Sequence, residues 1–370
     1  MATDDREMDV TGHTSSGSPS GPGPEPRKAA SIRDVARAAG VSYQTVSRVI
    51  NSHPNVREET RERVEAAVAA LGFRRNATAF ALASGVTRSV TVLTSNTTLH
   101  GYAATLQGLE EAARAAGCSP GVRLLTPEDD LDRVLSSAAA DGGGLMVIGF
   151  DRLGASALDR IPEHVPCAAV VEAPARGRTP PRPAVWADDR EAARAATAHL
   201  LELGHRTVHY VAIPTSTGPR RSEGPRAQGW RTALEAAGVT PPEPHGGKGW
   251  EARVGYEEGR RLAHDPGVTA ILCGSDDLAL GVLRALHHAG RSVPGEVSVI
   301  GFDDAPHAEF VTPALTTVRM DFRGLGRDAF HLLRGQLEKD YRPPAPTFVG
   351  TALILRESTA STGPTVRATQ

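Results

Sequence analysis

Residues 32–51 read IRDVARAAGVSYQTVSRVIN. Ile32, Val35, Ala36 and Ala39 fall at helical spacing behind Ser31, whose hydroxyl suits a helix N-cap. Gly40 is free to take the left-handed conformation that a tight turn demands, so the first helix ends there. Ser42 opens a second helix over 43–50, with Val46, Val49 and Ile50 on its inner face. A third follows over 58–71, with Val64, Val68 and Leu71 as its buried stripe and Gly72 closing it. Helix, tight turn and helix have the size and pattern of a helix-turn-helix unit. The second helix turns Tyr43, Gln44, Ser47 and Arg48 outward, and such amide, hydroxyl and guanidinium groups are what base edges and phosphates require. The same pattern also fits a small three-helix packing unit whose polar face is only solvated, and periodicity alone leaves both open.

Charge points the same way as the pattern. The chain of 370 residues has a net charge of −2, yet Ser31 to Arg75 holds eight arginines against five carboxylates, and Arg27 and Lys28 extend the excess. A local basic excess on a near-neutral chain implies one nucleic-acid-facing module. Arginine outnumbers lysine 38 to 3 throughout, a bias that weakens arginine richness as evidence on its own. Residues 1–29 are polar and rich in Gly, Pro and Ser, and read as a disordered tail without the apolar run of a secretory signal; a cytoplasmic location is the expectation. No stretch of eighteen apolar residues is present, so no membrane partner is expected. Cys118, Cys167 and Cys273 are an odd number at wide spacing, which predicts neither a disulfide framework nor a metal site.

Beyond residue 88 the rhythm alternates. The apolar runs SVTVLTS (89–95), GLMVIG (144–149), CAAVVE (167–172), TVHYVAI (207–213), AILCGS (270–275) and VSVIGF (297–302) are separated by Ala- and Leu-rich helical stretches such as 106–117, 190–204 and 276–290. Strands apolar almost throughout, each followed by a helix, predict parallel sheets covered on both faces. Six such units suggest two doubly wound subdomains, with ligands at the carboxyl ends of the strands and in the cleft between them.

The stretch 32–51, continued by VREETRERVEAAVAALGF (56–73) and RRNATAFALASG (74–85), resembles the DNA-binding domain of the lac repressor family almost position by position. The likeness runs on through GHRTVHYVA, PRAQGW, AILCGSDDLALGVLRAL, VPGEVSVIGFDDAP and LTTVRMDFRGLG, and covers about residues 31–358. It implies an all-α helix-turn-helix DNA-binding domain (30–75), a hinge helix (76–87) and an α/β periplasmic-binding-protein-like core (88–358). That core would hold one subdomain at about 88–187 and 319–343, another at 188–318 and 344–358, and leave 359–370 as a flexible end. The resemblance also implies a repressor of carbohydrate-utilisation genes, held on a pseudo-palindromic operator and released by a sugar effector. A family member corepressed by a non-sugar metabolite is the alternative.

Carried over by position, the resemblance assigns base reading to Tyr43, Gln44 and Arg48, and phosphate or edge contacts to Ser42, Thr45, Ser47 and Asn51. Asn76 falls in the hinge helix, and Leu82 takes the place of the wedge that opens the central base step. In the core it assigns effector contacts to Arg226, whose guanidinium can fork onto vicinal hydroxyls, and to Trp250, whose face suits a pyranose ring. Asp303 fits a carboxylate that accepts sugar hydroxyls, and Ser275 and Phe322 complete the set. Asp276 is expected to cap the helix that follows it. Ser275 stands where the family usually has a longer Asn, and Met320 makes one wall more apolar. Val171 stands where a carboxylate is expected, with Glu172 on the opposite face.

Catalysis finds no inventory. Gly142, Gly143 and Gly144 precede a strand instead of following one, GxSxG, HExxH and P-loop strings are lacking, and His287 and His288 are adjacent on a helix and cannot chelate together. A non-enzymatic regulator without cofactor or metal is expected, with operator DNA, a small-molecule effector and a second copy of itself as partners. The segment after TALILRE contains a proline and no leucine heptads, which predicts a homodimer and no tetramer.

Overall fold

The computed structural model describes residues 30–50, 56–73, 89–140, 143–175, 177–216, 224–246, 249–343 and 350–362. The expected tail, the hinge helix, Asn51, Asn76 and Leu82 lie outside them. The chain divides into two compact units, 1–83 and 84–370.

In the first unit α1 (Ile32–Ala39) begins at a capping box. Ser31 Oγ accepts from the Asp34 amide, and the Asp34 carboxylate accepts from the Ser31 amide. Gly40 ends it at φ 62°, and its amide returns to the carbonyls of Ala36 and Arg37. Then come α2 (Tyr43–Ile50) and α3 (Glu58–Ala70). Val35, Val46, Val49, Val64 and Ala67 form the small core, and Arg63 braces the turn by donating to the carbonyl of Ala39 at 2.6 Å. Leu71 departs from expectation. Helix α3 stops at Ala70, so Leu71 falls past the last turn and is 39% exposed, and Ala67 takes its place in the buried stripe.

The second unit holds two lobes, each built on its own sheet. In the first lobe β1 (Ser89–Thr94), β2 (Ser119–Leu124), β3 (Gly144–Gly149), β4 (Cys167–Val171) and β5 (Ala184–Val185) lie parallel in the order β2-β1-β3-β4-β5. Helices α4 (His100–Ala115), α5 (Leu131–Ala140) and α6 (Arg152–Arg160) connect them. In the second lobe the strands are β6 (His209–Ala212), β7 (His245–Gly246), β8 (Ala270–Cys273), β9 (Ser298–Asp303), β10 (Thr316–Arg319) and β11 (Ala352–Ile354), in the order β11-β10-β9-β8-β6-β7. Its helices are α7 (Asp189–Glu202), α8 (Pro225–Ala236), α9 (Ala252–Ala263) and α10 (Asp276–His288). All six apolar runs are strands. The sheets are parallel as the pattern predicts, save that β11 joins β10 antiparallel at one edge.

The chain passes between lobes after β5, after β10, and again between α11 (Phe322–Leu337) and β11. Helix α11 thus leaves the second lobe to pack on α4, so closely that a methyl group on Gly108 would strike the Arg323 carbonyl. Residues 359–362, expected as part of a flexible end, are tied down. The Ala360 amide donates to Ser298 Oγ at 3.1 Å and the Thr362 amide to the Leu203 carbonyl at 2.9 Å. In both doubly wound sheets the strand order reverses beside the first strand, so the carboxyl ends of β1, β3 and β4 face those of β6, β8 and β9 across a cleft.

Candidate functional site

Two surfaces answer to the residues singled out in the sequence. On α2, Tyr43, Gln44 and Arg48 are exposed, with Tyr43 at 50%, while Thr45 and Ser47 are half-buried. Ser42 works locally: its hydroxyl accepts from the Thr45 amide at 3.2 Å and meets the Thr45 hydroxyl at 2.9 Å, which fixes the start of the helix.

A pocket opens in the cleft between the lobes. Arg226, Trp250, Ser275, Asp303 and Phe322, which come from widely separated segments, all line it. At its centre is Arg226, in the first turn of α8 and 7% exposed. Its Nε donates to Asp189 at 3.3 Å, its Nη1 donates to Asp303 at 3.2 Å and to the Gly274 carbonyl, and its plane lies 4.0 Å from the Phe302 ring centroid. Burial pulls the guanidinium pKa down, but Asp189 and Asp303 outweigh it and hold the group firmly protonated. The carboxylates feel the opposite balance. Burial pushes Asp303 well above the usual range and raises Asp189 too, with Arg226 opposing both.

The Asp303 backbone is strained. Asp303 has φ 111° and Asp304 φ 54°, the two non-glycine residues with positive φ among those described. Three anchors hold them so. Asp304 pairs with Arg319 and with Arg356, each at 2.6 Å, and Asp276 Oδ2 accepts the Ala305 amide at 2.7 Å while its Oδ1 accepts the Thr317 hydroxyl at 2.5 Å. Asp276 is therefore not the helix cap expected of it. Ser275 caps α10, its Oγ accepting the Leu278 amide at 3.2 Å, while Asp276 lies buried behind the cleft and burial pushes its carboxyl up to about 7.

The opposite wall is aromatic. Tyr102 packs edge-on against Phe150 at 5.2 Å and Trp250 at 6.3 Å, and Phe322 against Phe150 at 5.8 Å and His100 at 6.0 Å. The Tyr102 hydroxyl donates to Asp151 at 3.1 Å. Burial lowers the His100 pKa and so favours its neutral form. Glu172, expected to face away, lines the cavity. Strand β4 ends at Val171, so its alternation does not extend to the next residue. From there Glu172 Oε2 crosses the cleft to accept the Ser216 amide at 2.7 Å, the Ser216 hydroxyl, and the Thr215 hydroxyl at 3.0 Å. Burial pushes its carboxyl up to about 7.

Sequence reasoning missed Asp189, Glu172 and Tyr102 as cleft residues. Asp189 had a signal: Asp188 caps α7, so a second carboxylate beside it has no capping role and needs another partner. Among the described residues no group of His, Cys, Asp and Glu is placed to hold a metal ion.

Comparison with known proteins gives the geometry its context. Residues 31–76 match the bacterial regulatory proteins of the lacI family, and residues 197–359 match a periplasmic binding protein-like domain. The chain is 29% identical to the lactose operon repressor of Escherichia coli over 337 residues, covering 90% of this chain and 91% of that protein. It is 30% identical to the transcriptional repressor PurR of Yersinia enterocolitica over 341 residues, covering 90% and 97%. The crystal structure of the lac repressor dimer bound to operator and the anti-inducer ONPF superposes with a TM-score of 0.77 at 28% identity, covering 90% of this chain and all of that one.

Proposed function

Because this chain belongs to the lacI family of bacterial regulatory proteins and is a transcriptional repressor of that family, we propose that a sugar or glycoside bound in its cleft releases it from operator DNA. The observation that supports this most is Arg226, buried between Asp189 and Asp303 and bordered by aromatic rings. Paired carboxylates and a guanidinium fork suit vicinal hydroxyls, and ring faces suit the C–H face of a pyranose. In this reading Arg226, Asp303 and Ser275 contact hydroxyls, while Trp250 and Phe322 pack on the ligand.

On the DNA side Tyr43, Gln44 and Arg48 read base edges, and Ser42, Thr45, Ser47 and Asn51 meet phosphates or edges. Asn76 and Leu82 act in the minor groove as hinge and wedge. Two copies bind together, as in the lac repressor dimer on operator. The cleft binds without catalysis, and the protein acts in the cytoplasm. Ligand and operator compete through linkage: an effector that favours one arrangement of the lobes lowers the population competent for DNA.

A second reading keeps the site and reverses the sign. The five rings around the cavity also suit a flat heterocycle, which would act as corepressor. Calorimetric titration with galactosides, glucosides, free monosaccharides and purine bases, paired with operator affinity at saturating ligand, tests both. Glycoside binding that weakens operator affinity supports the first; purine binding that strengthens it supports the second and overturns the first.

A further inference from the structure

The joint of the helix-turn-helix unit is held from outside itself. Gly40 and Val41 close α1 locally: both amides return to the Ala36 carbonyl, and Gly40 donates to Arg37 as well. The carbonyls of Ala39 and Gly40 are instead taken by α3. Arg63 Nη2 donates to Ala39 at 2.6 Å and comes within 3.5 Å of Gly40. The carbonyl end of a helix carries partial negative charge, which suits a guanidinium. Two residues earlier on α3, Arg61 pairs with Glu58 at 3.6 Å, the local contact usual for a surface arginine. Glu59 stands four residues before Arg63, at the spacing of another such pair, yet the Arg63 guanidinium goes to the turn.

The turn has little slack. Gly40 sits at φ 62°, and a methyl group there would lie 3.1 Å from Arg63 Nη2, so the arginine is seated against the backbone. Three residues separate the end of α1 from the start of α2, and the last of them, Ser42, accepts the Thr45 amide. The direction of α2 therefore follows the turn. Its apolar contacts restrain it less sharply. Val46 and Val49 pack with Val35, Val64 and Ala67, and such packing is non-directional. At about 1.5 Å of rise per residue, tilting α2 by roughly 10° about the turn displaces Arg48 by roughly 1.5 Å. A shift of that size breaks a hydrogen bond to a base edge.

We propose that Arg63 is a positioning residue for DNA reading: by tying α3 to the turn it fixes the angle at which α2 presents Tyr43, Gln44 and Arg48, and it touches no base itself. The proposal rests on α2 being the base-reading helix. A phosphate contact is the other use for an arginine on this unit, and the two roles predict different behaviour. A phosphate contact adds affinity for any duplex and steepens the salt dependence. A brace adds affinity only for the duplex whose base edges match the helix.

The test uses a pseudo-palindromic duplex selected by the full wild-type chain from a randomised pool, and a random duplex of equal length. Affinity for each is read by fluorescence anisotropy across a salt series, well below the melting temperature. Arg63→Ala should bind the selected duplex roughly tenfold more weakly and the random duplex within about twofold of wild type, with the salt slope unchanged. Its discrimination against single-base variants of the selected duplex should fall. Arg63→Lys should restore most of the selectivity, because one nitrogen serves both carbonyls. Should the Ala variant not fold, Arg63→Met keeps an unbranched apolar stem, removes the donors and takes its place. Equal loss on both duplexes, with a salt slope smaller by about one, makes Arg63 a phosphate contact and overturns the proposal. Full selectivity in the Ala or Met variant overturns it too. A wild-type chain that enriches no duplex overturns the base-reading role of α2 itself, which separates that failure from failure of the brace.

Discussion

Replacing Arg226 by Ala strands two carboxylates that burial already pushes toward neutrality. Asp189 is 5% exposed and the Asp303 side chain 13%, so neither reaches enough water to replace the lost partner. Breaking a buried pair by removing one member costs about 3–5 kcal/mol. For a unit of this size, 1 kcal/mol corresponds to roughly 2–4 °C, so the melting temperature should fall by roughly 6–20 °C. The defect should also depend on pH. Asp189 and Asp303 have folded pKa values above their unfolded values, and losing Arg226 raises them further. Such groups stabilise the fold while protonated and lose that contribution as pH rises, so the variant should be more impaired at pH 8 than at pH 5. Effector affinity should drop about ten- to hundredfold, since about 1.5–3 kcal/mol accompanies loss of a charged hydrogen bond. Arg226→Lys separates the two effects: it restores a positive charge beside the carboxylates and most of the stability, but not the planar fork or the effector affinity. Thermal melts across pH and calorimetry on both variants supply the measurements. An Ala variant that melts with wild type at pH 8 would show that the carboxylates do not depend on Arg226. A Lys variant with full effector affinity would refute the fork.

Gln44→Ala should weaken operator binding by about 1–3 kcal/mol and relax base preference at one position; equal loss on random DNA in fluorescence anisotropy would count against base reading. Gly40→Ala should destabilise the helix-turn-helix unit by about 1–2 kcal/mol, because the residue sits at φ 62° and an added methyl would also press on Arg63, and circular dichroism of denaturant unfolding will read it. Burial pushes the Glu172 carboxyl up to about 7 from 4.5 in the unfolded chain, so its contribution is full below pH 4.5 and fades as pH rises through 7, by up to about 3 kcal/mol. Glu172→Gln should flatten that part of the stability–pH curve, and an unchanged slope in melts from pH 4 to 8 would dismiss the assignment. Light scattering across a dilution series should give the mass of a dimer, and a constant tetramer mass would contradict the proposed assembly.

Local chemistry made most of the fold legible. Ser31, Gly40 and Ser42 sit where a cap, a left-handed turn and a second cap are needed: α1 begins after Ser31 and ends at Gly40, and α2 begins after Ser42. The six apolar runs announced six strands because parallel strands are buried on both faces. Three strands that went unannounced have no such signature: β5 and β7 are two residues long, and β2 is an exposed edge containing Pro120 and Gly121. Leu71 misled because periodicity says where an inner face points but not where the helix stops.

The cleft was legible chiefly through the resemblance, which places Arg226, Trp250 and Asp303 by position; a carboxylate at a strand end can also be singled out along the chain. The residues that set their charge cannot. Asp276 and Asp303 look alike in GSDD and GFDD, yet the fold sends one behind the cleft and the other into it. The difference lies in the backbone: Asp303 and Asp304 turn through positive φ, whereas Asp276 starts a helix behind its cap, Ser275. By accepting the Ala305 amide and the Thr317 hydroxyl, Asp276 holds the turn that aims Asp303 at Arg226. Asp304 ties the same turn to Arg319, two residues before the chain crosses to the other lobe through Asp321 and Phe322. The Asp303 carboxylate that lines the cleft and the crossover segment thus share one strained turn. A ligand that shifts Asp303 must act on the segment connecting the two lobes, and that connection depends on three-dimensional contacts between residues tens of positions apart.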